Sequence, residues 1–240
     1  MTGIFETFLY TPLFNLLVFF YNTAAFGDFG VAIILLTVVI RLILSPLSIR
    51  ALESQKKLSA LQPRIQEIQK RFKDDPQKQT REVMNIYKEN KTNPFSGCFL
   101  LLVQLPVLFA LYRISVAGFG EESLAALYSF VDRPESLNRL FIGFFELTKR
   151  SIILSVFAGA LQFLQMKFSF SKQGNVQGAG LAGLNRQMLY FMPLMIIIIS
   201  LSFPAGLPLY LMATTAFSIL EQLYVNRNGE RDKRIDFGHG

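Results

Sequence analysis

The chain has 240 residues, 51% of them hydrophobic, with a formal net charge of +7 and a mean hydropathy of +0.36. That is too apolar for an ordinary soluble domain, and the basic residues are spread as membrane topology demands rather than as a nucleic-acid surface. Cys98 is the sole cysteine and His239 the sole histidine, which excludes an internal disulfide, histidine-based catalysis and any multi-cysteine or multi-histidine metal site.

Residues 1–29 contain an apolar stretch, 4–21, in which Thr7, Thr11 and Asn15 recur at four-residue spacing and would form a narrow polar stripe on a helix. No Lys or Arg precedes Arg41 and there is no small-residue cleavage site, so this is not a typical signal peptide. It reads as a helix in the outer interface or as a span, and neither choice alters the orientation of the later spans.

Residues 30–48, GVAIILLTVVIRLILSPLS, form the first expected transmembrane helix, interrupted by one charge, Arg41. A cation near the middle of a span costs roughly 2.5 to 3.5 kcal/mol on the insertion scale. Side chains lean toward the helix N-terminus, which disfavours snorkelling toward the cytoplasm, so an aqueous cavity or a counter-charge is required.

Residues 49–93 read as a cytoplasmic helical hairpin. Leu58, Leu61, Ile65, Ile68 and Phe72 alternate at spacings of three and four, a stripe of coiled-coil type that Pro63 should kink. Asp75 and Pro76 are a helix start, with Asp as N-cap and Pro at the first position, and Val83, Ile86 and Tyr87 supply the next apolar face.

Asn93 and Pro94 repeat that signal for the second span, 94–114, which holds Gln104 and Pro106. An outer loop, 115–150, has amphipathic stretches such as 137–145, and the third span, 151–166, contains Gln162 and Gln165. In the cytoplasmic loop, 167–186, Gly178, Gly180 and Gly183 formally make GxGxxG, but no strand precedes them and a span lies just beyond, so the nucleotide reading is rejected. The fourth and fifth spans, 187–203 and 207–224, form a hairpin turned at Phe203, Pro204, Ala205 and Gly206, and a basic tail, 225–240, ends the chain.

Eighteen basic residues fall in 50–91, in the loop 167–186 and in the tail, against five on the other side: Arg113, Arg133, Arg139, Lys149 and Arg150. The asymmetry puts the hairpin, that loop and the C-terminus in the cytoplasm. Of the acids only Glu221 lies in a span, near its cytoplasmic end, so Arg41 has no evident carboxylate at its own depth. Thr37, Ser45, Gln104, Gln162, Gln165, Ser200, Thr214 and Thr215 could line a wet cavity with it, although singly such residues more often serve helix packing. An intramembrane charge, in contrast, marks a pathway or a binding site. No ATP-binding motif, redox centre or acid relay accompanies it.

The stretch LQPRIQEIQKRFKDDPQKQTREVMNIYKENKTNPFSGCFLLLVQLPVLFALY at 61–112 closely resembles the YidC family of membrane protein insertases. So do VAIILLTVVIRLILSPL before it, GALQFLQMK at 159–167 and FMPLMIIIISLSFPAGLPLYL at 191–211. The resemblance covers nearly the whole chain and implies an all-α, five-span bundle with an outer interface helix and a groove open to the cytoplasm and to lipid. It assigns Arg41 as the groove arginine and Gln165 as the polar position of the third span, while Gln104 is added here from its depth. It further implies that the hairpin, with Leu61, Pro63, Ile65, Asp75 and Pro76, receives clients and that the tail meets ribosomes. Where the family usually has Trp after the LY of the fifth span this chain has Leu211, and the large outer domain of many members is missing, as in the short form.

The expectation is an insertase of the bacterial cytoplasmic membrane, without cofactor or covalent chemistry. Its expected partners are nascent membrane proteins and the bilayer, with the ribosome and secretion translocon as further candidates. The rivals are a small-anion transporter and a non-catalytic assembly subunit whose Arg41 pairs with a partner's carboxylate. Against the transporter, no inverted repeat is visible and a long amphipathic cytoplasmic hairpin would go unexplained.

Overall fold

A computed structural model describes residues 3–93, 96–117, 121–134, 138–171 and 181–236 of the chain. Pro94, the glycines Gly178 and Gly180, Leu137 and His239 lie outside the described residues. The protein is all-α apart from one two-stranded hairpin: α1 (Gly3–Phe5), a π-helical segment (Glu6–Tyr10), α2 (Thr11–Thr23), α3 (Phe29–Arg71), α4 (Pro76–Glu89), α5 (Ser96–Ala117), α6 (Glu121–Ala125), β1 (Leu140–Phe141), β2 (Phe145–Glu146), α7 (Ile152–Ser171), α8 (Leu181–Ser202) and α9 (Gly206–Asp236).

The expected border between the first span and the hairpin, at 48/49, is no border in the backbone. Asp28 caps α3, its side chain accepting from the Val31 N–H at 3.0 Å, and the helix then runs 43 residues through Pro46 and Pro63. At 1.5 Å per residue that is roughly 65 Å, about twice a bilayer's hydrocarbon thickness. A change from apolar to charged residues alters the medium a helix prefers, not its internal hydrogen bonds. The turn to α4 comes only at 72–75, where Asp75 accepts from the Lys78 N–H at 3.0 Å and Pro76 opens α4. Ile65 and Ile86 are the apolar residues of the two arms that are most buried, and Gln79 donates to the Gln69 carbonyl at 2.9 Å.

Three helical stretches, Gly3–Thr23, Phe29–Arg71 and Ile152–Ser169, are long and apolar enough to cross a membrane, and Leu102–Val116 and Leu189–Ser202 are shorter apolar helices. Helix α7 runs past residue 166 and α8 starts at 181 rather than 187, so the expected loop between them is narrower. Helix α9 joins the expected fifth span and tail without a break.

The core lies among α2, α3, α5 and the start of α9, around Phe14, Leu17, Ile33, Leu36, Leu111 and Tyr210. By contrast α7 and α8 expose Ile153, Phe157, Leu194 and Ile198, as lipid-facing helices do. These two helices approach closely at Gly159, where a Cβ would collide with the Ile197 side chain and stand 3.0 Å from the Pro193 carbonyl.

The segment expected as an outer loop is tied down rather than merely surface-bound. Part of the expected amphipathic stretch 137–145 is a β-hairpin, pairing Leu140 with Glu146 and Phe141 with Phe145. Ile142 and Gly143 both have positive φ, 52° and 73°, a turn of the primed kind, and the Ile142 N–H is held by Asp28 Oδ2 at 2.6 Å. Asn15, from the predicted polar stripe, is buried; its Nδ2 donates to the carbonyls of Thr11 at 2.9 Å and Ala126 at 3.1 Å, and its Oδ1 accepts from the Tyr128 N–H at 2.6 Å.

Candidate functional site: a polar seam between α3 and α9

Helix α9 carries Thr214, Ser218 and Glu221 at spacings of four and three, which puts them on one face. Helix α3 presents Arg41 and, seven residues on, Ser48, and the two helices pack against each other. Arg41 is 4% exposed; its Nη2 donates to the Thr214 carbonyl at 2.9 Å and to the Ser218 hydroxyl, while its guanidinium carbon lies 5.7 Å from the centre of the Phe217 ring.

Glu221, 7% exposed, lies with Oε2 4.0 Å from Arg41 Nη1, and its Oε1 accepts from the Ser48 hydroxyl. The reading that Arg41 lacks a carboxylate at its own depth is therefore corrected. Glu221 lies two turns beyond Thr214 along α9, but a guanidinium on a long side chain reaches past the level of its own Cα. The pairing remains loose, since 4.0 Å is well beyond the roughly 2.7 to 2.9 Å of a charge-assisted hydrogen bond. Among the described residues, Arg41 Nε and Ser200 Oγ are buried polar atoms without a hydrogen-bond partner.

The other expected cavity residues are distributed around this seam. Gln104 of α5 donates to the hydroxyl of Tyr210, which is almost fully buried on α9. The Thr215 hydroxyl donates to Gln162 Oε1 of α7 at 3.4 Å, and two turns further Gln222 donates to Ser169 at 2.7 Å. Gln165 is partly exposed on α7. Thr37 and Ser45 use their hydroxyls within α3, on the carbonyls of Ile33 at 2.6 Å and Leu42 at 2.9 Å. In the hairpin of α3 and α4, Pro63, Asp75 and Pro76 are exposed and Leu61 is partly so, whereas Ile65 is buried.

Sequence reasoning omitted Ser48, Tyr210, Phe217, Ser218 and Glu221 from the site. The spacing of Thr214, Ser218 and Glu221 was the available signal, and it lacked only the knowledge that α9 lies beside Arg41.

An all-α polytopic membrane protein with an incompletely satisfied charge buried between two of its long helices is the class that fold and seam define. Residues 19–233 match the family model described as 60Kd inner membrane protein. The chain belongs to this family, the YidC membrane protein insertases. The membrane protein insertase YidC of Fusobacterium nucleatum is 31% identical over 225 residues, covering 93% of this chain and 99% of that protein. Those of Wolinella succinogenes and Helicobacter pylori are 34% and 33% identical over 96% and 95% of this chain, which spans 39% and 38% of their lengths.

Proposed function

We propose that this protein inserts short, weakly polar segments of nascent membrane proteins from the cytoplasm into the bilayer, without covalent chemistry. The observation that carries the reading is Arg41, a permanent cation within a membrane-length helix, buried, with Nε unpaired and its carboxylate neighbour held at 4.0 Å. Such a charge retains attraction for an acidic group on a guest. Family membership supports the same activity.

In this account the chain crosses the membrane five times with its C-terminus in the cytoplasm. The hairpin receives the client through Leu61, Pro63, Asp75 and Pro76, with Ile65 fixing its shape, and the basic tail meets the ribosome. A client's hydrophilic tail enters a groove edged by Thr37, Arg41, Ser45, Gln104, Gln162, Gln165, Ser200 and Thr214. Sitting partway across the membrane, that tail has a shorter dehydrated path to complete. The client's apolar helix then slides into lipid along α3, α7 and α9. Partition of that helix supplies about 0.8 kcal/mol per buried methylene, and the membrane potential about 2.3 kcal/mol per charge per 100 mV. No nucleotide is needed.

The assembly-subunit reading is weakened, because a carboxylate of the same chain, Glu221, already stands 4.0 Å from Arg41. The test of the insertase reading is Arg41→Glu assayed with acidic-tailed and neutral-tailed clients. Acidic tails should suffer most, and equal insertion of both by the variant would contradict the electrostatic role.

A further inference from the structure

Resting on the insertase reading, we propose that Glu221 is a resident counter-ion that an acidic client group displaces, so that Glu221 sets how strongly the protein discriminates acidic from neutral clients. The geometry is that of a placeholder rather than a lock. Arg41 Nη2 is committed to α9 through the Thr214 carbonyl and Ser218, which anchors the guanidinium whether or not a guest is present. Glu221 Oε1 is committed to Ser48, and Oε2 stops 4.0 Å short of Nη1.

The carboxylate thus lowers the positive potential at Arg41 without occupying its hydrogen-bonding edge, and the buried Nε–H stays unfilled. A guanidinium has five N–H donors in a planar fork suited to a carboxylate, and a guest that reaches Nε makes a bond that Glu221 does not. Glu221 has somewhere to remain when displaced, since its bond to Ser48 does not involve Arg41. A fully formed bidentate pair would exclude such guests, whereas an absent acid would leave the cation to hold any anion that arrives.

The test uses the full chain in phosphatidylcholine vesicles, which carry no anionic headgroup to compete. The probes are two fluorescent peptides sharing one apolar helix, with either two Asp or two Asn in the hydrophilic tail. The readout is the acidic-to-neutral binding ratio, corrected for partition into empty vesicles. Glu221→Gln, which keeps an acceptor for Ser48, should raise that ratio about tenfold by removing the competing charge. Glu221→Asp, which draws the carboxylate back by one methylene, should raise it less. Adding Arg41→Gln to Glu221→Gln should bring the ratio to about one.

A ratio in Glu221→Gln within about twofold of wild type, or equal weakening of both peptides, would overturn the proposal and leave Glu221 a structural support. Protease protection of the same peptides tests the parent reading separately. If wild type inserts neither, the insertase reading fails, while the binding ratio, which needs no insertion, still decides the role of Glu221.

Discussion

The backbone N–H of Gly206 donates to the carbonyl of Leu147 at 3.0 Å, and beside it the Ala205 N–H donates to the Lys149 carbonyl at 2.8 Å. Through these bonds the segment before α7 supplies acceptors for the turn between α8 and α9, and Leu147 is fully buried there. The turn also meets α5. A Cβ on Gly206 would stand 2.8 Å from Ser115 Oγ and 3.4 Å from Ile33 Cδ1. Gly206→Ala should therefore destabilise the protein by about 1 to 3 kcal/mol, as overpacking does. Ser115→Ala in the same chain should restore much of the loss, and thermal melting in detergent reads both. Equal melting of Gly206→Ala and wild type would show that the contact yields freely.

Asn15 gives a second prediction, because its side-chain amide serves three backbone groups, two of them in the segment 126–128. Asn15→Ala leaves the Tyr128 N–H and Ala126 carbonyl without that partner and should cost about 1 to 3 kcal/mol. Amide exchange at Tyr128 should accelerate while exchange in α4 stays unchanged. A protected Tyr128 amide in the variant would place its restraint elsewhere.

The buried pair predicts a non-additive stability pattern. Arg41→Leu strands Glu221 without its counter-charge and should cost about 3 to 5 kcal/mol, whereas Arg41→Leu with Glu221→Leu should cost less than the single change. Melting of the three proteins in one detergent checks this. A double variant at least as unstable as Arg41→Leu would mean that the two charges are not coupled.

Much of this was legible in the chain, and the exceptions have physical causes. Arg41 stood out because a lone charge in an apolar run is expensive, and Asp75 with Pro76 foretold the start of α4 because capping is local chemistry. The turn at 203–206 was readable for the same reason. The approach of Glu221 to Arg41 was not, since it depends on which helices are neighbours and on the reach of a guanidinium. The continuity of α3 across residue 48 was missed because composition was taken as a boundary where the backbone has none. The β-hairpin at 140–146 was not read from the sequence, because the positive φ of Ile142, uncommon for a β-branched residue, relies on Asp28 from 114 positions away.

The β1–β2 hairpin should also respond to pH. The hydrogen bond from Lys149, at 2.6 Å, holds the Glu146 carboxyl below the ordinary glutamate value, with Thr148 adding a weaker bond at 3.1 Å. A carboxyl whose folded-state value is depressed contributes stability above its unfolded value and loses it as pH falls through the folded one. Below the ordinary glutamate range the Leu147 amide, bonded to the Arg139 carbonyl at 3.0 Å, should therefore lose protection after correction for intrinsic exchange. Glu146→Gln should flatten that pH profile, and Lys149→Met should shift it upward. An unchanged profile in Lys149→Met would remove the lysine from the explanation.

The most direct test of the insertase account is protease protection of a small client with an acidic tail, in nucleotide-free proteoliposomes holding only this protein, wild type beside Arg41→Ala. The account predicts protection well above that in empty liposomes for wild type and its loss in the variant. Wild-type protection no greater than in empty liposomes, under conditions in which an established insertase succeeds, would contradict it.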